Sequence, residues 1–252
     1  MNLPILLINL PESKGRLERA QQEFAKLGLL YERVEAANGR TMSKADLEEV
    51  ALWDRSAFYK PLSPGEVGCY LSHISAVERI VNEQWPFALV LEDDFRLEPN
   101  FNEVVSLVLR DAPTGLHLIK LQGTVRGGEV VASLSGGRQI MRHRSIPSQT
   151  VAQLWSLAGA KVFLEIARPL RRPVDVQLKH WWEGDLNILY VNPPIVIDGD
   201  SIGATSTIGA RKPKGILNWL RRFRYKLTFT CQSHLKYFRR HGLLSWSRSL
   251  RR

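Results

Sequence analysis

One short segment constrains the fold more than any other: an apolar run from Phe87 to Leu91 that stops at three consecutive acids. The run contains neither glycine nor proline, which is typical of a strand buried on both faces of a sheet. In open α/β sheets, ligands bind where such strands end. The segment therefore predicts a buried strand whose carboxyl end carries a polar site.

The body of the chain alternates strand-like and amphipathic helical segments. This order predicts an α/β fold with a mainly parallel central sheet flanked by helices. Predicted strands cover residues 3–9, 31–36, 87–91, 116–121 and 187–191, and predicted helices cover residues 13–27, 66–82, 101–109 and 158–167. Short helices begin near residues 43 and 173, and residues 123–144 form a hairpin or flap.

Composition limits the class of protein. With 252 residues, 44% of them apolar, the chain is long enough for one substantial domain and an appendage. It has no run of 18 uncharged apolar residues, so we expect no membrane span. Its start lacks a basic region and a cleavage signature, so we expect a first strand and no export signal. The two cysteines are too few for a disulfide framework and fit a reducing cytoplasm.

Charge divides the chain in two. Residues 211–252 contain thirteen lysines and arginines and no acid, whereas residues 1–210 contain 22 basic and 25 acidic side chains. We therefore predict a mildly acidic globular body over 1–210 and a strongly basic tail over 211–252.

The three acids after the buried strand are Glu92, Asp93 and Asp94. Adjacent carboxylates repel one another unless a cation or several donors neutralise them. Mg²⁺ and Mn²⁺ prefer one or two carboxylates plus phosphate oxygens. Strand alternation would turn Glu92 and Asp94 to one side, leaving Asp93 for a ribose hydroxyl or a structural contact. An acidic turn that caps the next helix is the alternative.

Five segments, in order, carry a more specific pattern. They are Ile8-Asn9-Leu10 followed by Arg16 and Arg19, then Ala36-Ala37-Asn38-Gly39, the helix Gly65-Glu66-Val67-Gly68-Cys69-Tyr70-Leu71-Ser72-His73, Leu91-Glu92-Asp93-Asp94, and Pro173-Val174-Asp175 with Asn192-Pro193-Pro194. Together they resemble glycosyltransferase family 25, the lipopolysaccharide and lipooligosaccharide sugar transferases related to collagen galactosyltransferases.

The resemblance implies a fold of the GT-A type, a UDP-sugar donor, Mn²⁺ or Mg²⁺, and inversion at the anomeric carbon. On this basis Asp94 is the expected metal ligand, with Glu92 or Asp93 as the second. The uridine is expected against Asn9 and against the turn Ala37-Asn38-Gly39, at two strand ends.

An acceptor hydroxyl must also lose its proton, and two carboxylates are candidates. Asp175 comes first, because its apolar Pro-Val-Asp-Val context could raise its pKa. Glu66 comes second, and an ordinary helix-start role for Asp175 is the alternative. His73 shares a helix face with Glu66 and could donate to a phosphate or sugar hydroxyl, although packing is the usual role of a single histidine.

The tail carries aromatic and aliphatic residues at helical spacing with arginines between them. Ile216, Trp219, Leu220, Phe223 and Leu227 form this stripe. Such a helix is typical of an interfacial anchor on an anionic membrane. Packing on the body with its charges in solvent is the alternative reading, and nucleic-acid binding is a rival function.

These observations predict an inverting, metal-dependent transferase that moves galactose or another hexose from UDP to a lipid-linked lipopolysaccharide core. We expect it at the inner face of a bacterial cytoplasmic membrane, as a peripheral cytoplasmic enzyme without nucleic-acid binding. A catalytically inactive relative, or a basic-tailed protein that binds nucleic acid or membrane, is the alternative.

Overall fold

The predicted buried strand lies inside an eight-stranded sheet in the computed structural model. The structure describes residues 3–198, apart from 124 and 126, together with 216–248 and 250. Helices cover both faces of the sheet, which confirms the predicted α/β class and agrees with a fold of the GT-A type.

The elements follow the predicted order closely. The strands are β1 (Ile5–Asn9), β2 (Glu32–Glu35), β3 (Phe87–Glu92), β4 (Phe95–Leu97), β5 (Leu118–Lys120), β6 (Glu129–Ser133), β7 (Gln139–Arg142), β8 (Ala152–Ser156), β9 (Ile188–Asn192) and β10 (Val196–Asp198). The helices are α1 (Lys14–Lys26), α2 (Lys44–Val50), α3 (Pro64–Asn82), α4 (Phe101–Asp111), α5 (Leu157–Ala167), α6 (Val174–Lys179) and α7 (Ile216–Arg248), the last with a non-helical Gly242.

The sheet is more mixed than the element order predicts. Its strand order is β2-β1-β3-β8-β5-β9-β7-β6, and β4 pairs separately with β10. β1, β2 and β3 are parallel, but β8 runs antiparallel between β3 and β5, and β7 runs antiparallel between β9 and β6. No strand was predicted over residues 152–156. The antiparallel strand β8 beside β3 is therefore absent from the predicted sheet.

Alternating residues of the buried strands supply two cores. Leu7 and Leu91 face the helices α1 and α4, where they pack against Phe24. Leu6 and Val90 face the opposite side, with α3, α5 and α6. This two-sided burial explains why the run from Phe87 to Leu91 contains no polar residue.

The C-terminal helix α7 packs on the body, as the alternative interpretation of the tail expects. Tyr237 is buried in the core formed with α3 and α5. Ser233 donates to the carbonyl of Arg144 over 3.1 Å, and Arg240 donates to the carbonyl of Leu186 over 3.1 Å. The predicted domain boundary after residue 210 lies outside the described residues. No helix in the described part of the chain combines the length and apolarity needed to cross a bilayer.

Candidate active site

A cavity of about 220 Å³ opens where β1, β2 and β3 end. We call it the edge cavity. The three strands are parallel neighbours, so the turns that follow them converge on one edge of the sheet. Its lining includes seven of the predicted site residues, namely Asn9, Ala37, Asn38, Gly39, His73, Glu92 and Asp93. The fold therefore brings together residues that lie up to 84 positions apart in the sequence.

Two glycines allow the turn after β2 to touch α3. A Cβ atom at Gly39 would lie 1.8 Å from the carbonyl oxygen of Pro64, and one at Gly68 would lie 2.4 Å from the carbonyl oxygen of Ala37. Ser72 completes the contact, because its hydroxyl accepts from the backbone N–H of Ala37 over 2.9 Å. Gly68 and Ser72 of the Gly-Cys…Ser-His pattern thus form the surface of α3 against which the Ala37–Gly39 turn packs.

Asp93 is held by two neighbours on the side of α1. Asn9 Nδ2 donates to Asp93 Oδ2 over 2.7 Å, and Arg16 Nη1 donates to Asp93 Oδ1 over 2.8 Å. Arg16 also lies 3.7 Å from Asp94 Oδ2. The structural contact foreseen for Asp93 is therefore present, and Arg16 is part of the same polar cluster.

Glu92 turns instead toward α3. His73 Nε2 donates to Glu92 Oε1 over 2.9 Å, and the hydroxyl of Thr150 donates to the same oxygen. Burial by itself would raise the pKa of Glu92, but His73 and Thr150 outweigh it and hold that pKa below its ordinary value. The carboxylate is thus negatively charged at neutral pH.

The chain bends directly after β3, so the alternation of side chains along a strand does not extend to Asp93 and Asp94. Glu92 ends the strand, and residues 93 and 94 form the bend. Asp93 and Asp94 therefore share Arg16, whereas Glu92 lies near Cys69 and His73, with ligand atoms of these three residues within 4.8 Å of one another. The expected pairing of Glu92 with Asp94 on one cation stays a prediction.

Glu66, the second candidate base, sits outside the edge cavity lining and caps α3. Its Oε2 accepts from Ser63 N over 2.9 Å and from Lys60 Nζ over 2.6 Å. Burial opposes the charge, but Lys60 and Ser63 lower the pKa of Glu66 below its ordinary value. A capping carboxylate with a lowered pKa is a weak base, and its catalytic role stays a prediction.

Asp175, the first candidate base, lies in the first turn of α6 and is partly exposed. Lys120, a fully buried lysine at the end of β5, lies within electrostatic range of both Asp175 and Glu92. Burial lowers the pKa of Lys120 to about 7, and the charges of both carboxylates work in the opposite direction. The two acids therefore influence the same buried amine.

Lys120 and Thr150 are polar residues of this region that sequence reasoning missed. Lys120 Nζ donates to the carbonyls of Pro147, Ser148 and Gln149, so it holds the loop that carries Thr150 to Glu92. The one available signal was a lysine inside an apolar strand, which is rare without buried partners.

A larger cavity, of about 660 Å³, lies at the opposite ends of the same strands. Leu3, Leu30 and Phe87 contribute to its mainly apolar wall, and Glu32 is the one carboxylate among its described lining residues. It offers no convergent polar groups, so the edge cavity is the candidate site.

Comparison with known proteins agrees with the residue pattern. The model of "Glycosyltransferase family 25 (LPS biosynthesis protein)" matches residues 2–127, half of the chain. A glycosyltransferase 25 family member of Aedes aegypti is 32% identical over 75% of this chain and 32% of its own length. Procollagen galactosyltransferase 1-A of Xenopus laevis is 31% identical over 68% of this chain and 30% of its own length.

Two further matches are a curated relative and a solved structure. A rat relative named "Probable inactive glycosyltransferase 25 family member 3" is 27% identical over 75% of this chain and 37% of its own length. A solved glycosyltransferase involved in glycosylation of the major capsid of PBCV-1 is 10% identical, with a TM-score of 0.44, covering 89% of this chain and 98% of that one. The chain spans about a third of the length of the curated relatives it matches. By sequence, the chain belongs to glycosyltransferase family 25.

Proposed function

We propose that the chain transfers a hexose, galactose in the first instance, from a UDP-sugar to a hydroxyl of a lipopolysaccharide or lipooligosaccharide core, with inversion. One observation carries the proposal: the edge cavity gathers predicted nucleotide residues from three strand ends and from α3. The family's description supports the acceptor class, and the Xenopus relative's name supports galactose.

The buried end of the edge cavity suits a uracil ring. Asn9 Nδ2 donates to Asp93 and to the carbonyl of Ser13, which fixes the orientation of the Asn9 amide. Asn9 Oδ1 is then a buried acceptor without a partner among the described residues. Uracil carries one N–H donor that could satisfy it. At about 220 Å³ the cavity is smaller than the roughly 300–1,000 Å³ typical of drug-sized ligands, which fits a nucleoside with its sugar at the open rim.

The acids suit a hard divalent cation by their chemistry. Glu92 and Asp94 offer carboxylate oxygens, the ligand type that Mn²⁺ and Mg²⁺ prefer together with phosphate. In this proposal Asp94 and Glu92 would hold the cation, which would supply positive charge to the diphosphate. Arg16, already beside Asp93 and Asp94, adds positive charge near the leaving group.

Asp175 is the proposed base. An acceptor hydroxyl gives its proton to the Asp175 carboxylate while its oxygen bonds to the anomeric carbon from the face opposite UDP. The bond from that carbon to the diphosphate oxygen breaks, and UDP leaves with the electron pair. The configuration at the anomeric carbon is inverted once, the proton ends on Asp175, and the negative charge leaves with UDP. Asp175 is partly exposed at the first turn of α6, so its carboxylate is open to an acceptor hydroxyl.

The outer face of α7 suits an anionic membrane. Leu220, Phe223 and Leu227 are about half exposed, and basic residues flank them. An exposed apolar stripe with arginines is the pattern of an interfacial helix. We place the enzyme at the inner face of a bacterial cytoplasmic membrane, where a lipid-linked saccharide is presented. The interleaved large apolar side chains favour this surface over nucleic acid.

A UDP-release assay tests the proposed function. The purified chain with UDP-galactose and Mn²⁺ should release UDP by slow hydrolysis, and EDTA should stop the release. Asp94→Asn should lower the rate by about 100-fold or more, because an electrostatic partner of the leaving group is lost. Asp46→Asn, at the exposed start of α2, is the control and should leave the rate of UDP release unchanged.

The rat relative's name makes an inactive protein the second candidate. Under that alternative, UDP-galactose still raises the thermal midpoint of the chain, but no UDP is released with any divalent cation. Absence of both binding and release, over a panel of UDP-sugars, would overturn the proposal.

A further inference from the structure

A second cavity, of about 440 Å³, lies between α7 and the loop around residues 55–59. We call it the arginine cavity. Three arginines line it, Arg55 from the loop and Arg221 and Arg224 from α7. None of the predicted site residues lines it, so it is distinct from the edge cavity.

The arginine cavity is strongly positive. None of the described residues that line it is acidic. His180 also lines it, but burial lowers the pKa of that ring to about 4, so it is neutral at pH 7. The positive charge therefore comes from guanidinium groups, whose planar fork of donors matches the oxygens of a phosphate.

Aromatic rings form the rest of the wall. The rings of Tyr59 and Tyr225 have centroids 5.8 Å apart, and those of Tyr225 and Phe229 stack at 6.3 Å with an interplanar angle of 22°. Ring faces of this kind pack against the apolar face of a pyranose. The cavity thus offers phosphate donors and sugar-packing surfaces side by side.

The position of the cavity links it to the proposed base. His180, which lines the cavity, directly follows α6, and Asp175 lies in the first turn of the same short helix. Burial raises the pKa of the Tyr225 phenol, and the nearby charge of Asp175 raises it further. The arginine cavity and the Asp175 carboxylate therefore lie near each other, at the two ends of α6.

We propose that the arginine cavity binds a phosphate ester on the acceptor saccharide and so presents a neighbouring hydroxyl to Asp175. This proposal rests on the proposed transferase function. A phosphate ester could also come from a phospholipid headgroup, and we assign the saccharide because the rings line the cavity itself.

Binding of glucose 6-phosphate to the full chain, measured by calorimetry beside glucose and inorganic phosphate, tests this. Glucose 6-phosphate should bind more tightly than either part. R221Q/R224Q should weaken it by about tenfold or more, because charge-assisted hydrogen bonds are lost. K226Q/K236Q removes two charges from exposed positions of the same helix that do not line the cavity, and should bind as the wild type does. R55Q tests the opposite wall, should the double variant not fold.

Equal affinity in R221Q/R224Q and K226Q/K236Q, or no binding of glucose 6-phosphate, would overturn the proposal. The lipid source is tested with phosphatidylglycerol vesicles. If R221Q/R224Q loses vesicle binding but keeps glucose 6-phosphate binding, the cavity serves a headgroup and the saccharide assignment is wrong. Acceptor-free UDP release should be unchanged in K226Q/K236Q. If the wild type releases no UDP, the transferase function is contradicted. The phosphate site is tested independently, because glucose 6-phosphate binding is measured without UDP release.

Discussion

The edge cavity and the surface of α7 are fixed by different kinds of contact. At the edge cavity, glycines bring backbones into contact and buried polar groups pair over distances of 2.7–2.9 Å. On α7, the contacts are aromatic rings, hydrogen bonds to backbone carbonyls and ion pairs with Asp185 and Glu129, while the outer face stays exposed. The close backbone contacts at the edge cavity allow only one arrangement of the turn and α3. The exposed outer face of α7 tolerates substitution of its side chains.

This difference indicates where a substitution can alter function without altering folding. A backbone contact made through glycine cannot absorb an added methyl group, so changes there disturb the site and the fold together. An exposed apolar stripe contributes little to folding, so changes there can alter binding alone. Four predictions test or sharpen this contrast, from the largest expected effect to the smallest.

The largest effect is expected at the proposed base. Asp175→Asn should lower UDP release by about 10²–10⁴-fold, because a positioned general base is lost, with little change in UDP-galactose affinity. Steady-state rates and calorimetric affinities measure the two effects. Glu66→Gln is the comparison: it should lower stability through the lost cap and Lys60 contact, and should keep most of the rate in the folded protein. The reverse pattern of rates would transfer the base role to Glu66.

The next effect concerns stability at the edge cavity. Gly39→Ala should lower the free energy of unfolding by about 3 kcal/mol, because its Cβ would collide with the backbone of Pro64. Gly15→Ala in α1 is the matched control, since no atom lies within 4 Å of its added Cβ. There the same change should be neutral or stabilising by up to about 1 kcal/mol. Urea unfolding at pH 7 compares them, and equal midpoints would show that the turn and α3 do not dock this way.

Acid should loosen the docking of α7. The pKa of His180 is about 4 in the folded protein, through burial and then the charge of Arg172, against an ordinary value near 6.5. Between these pH values the unfolded chain binds more protons, so the free energy of unfolding falls as pH falls from about 6.5 toward 4. His241, with its pKa also lowered to about 4 by burial, contributes in the same direction.

Urea midpoints at pH 7 and pH 5 check this for the wild type and His180→Phe. The phenylalanine keeps a ring against Phe229 but does not titrate, so its midpoint should fall less on acidification. The same fall in both proteins would remove His180 from the explanation.

The smallest stability effect, with a clear binding effect, is expected on the outer face of α7. Replacing Leu220, Phe223 and Leu227 by serine should change the free energy of unfolding by less than about 0.5 kcal/mol per site. It should also abolish sedimentation with phosphatidylglycerol vesicles. Tyr237→Ala is the contrasting change on the inner face, and should destabilise because Tyr237 is buried in the core. Retained sedimentation of the triple variant would refute the membrane role. Truncating the tail is a poorer test, because it would remove Tyr237 as well.

Much of the fold follows from local pattern. The strand from Phe87 was predictable because burial on both faces leaves no room for polar residues. The helix α3 was predictable from its apolar periodicity, and the hairpin over 123–144 from its glycines. The strand β8 was missed because five residues ending in Trp155-Ser156 give neither alternation nor a long apolar run, and only its place between β3 and β5 makes it a strand.

The sequence alone determined the family, the buried strand and seven of the residues that line the edge cavity, because motif order and periodicity are properties of the chain itself. The tertiary structure decided which partner each charged side chain takes. Glu92 turns to His73, Asp93 to Arg16, and Glu66 to a helix cap. It also decided that α7 docks through Tyr237 and leaves a cavity lined by arginines. These outcomes depend on contacts between residues far apart in the chain, whose distances and burial no local pattern encodes.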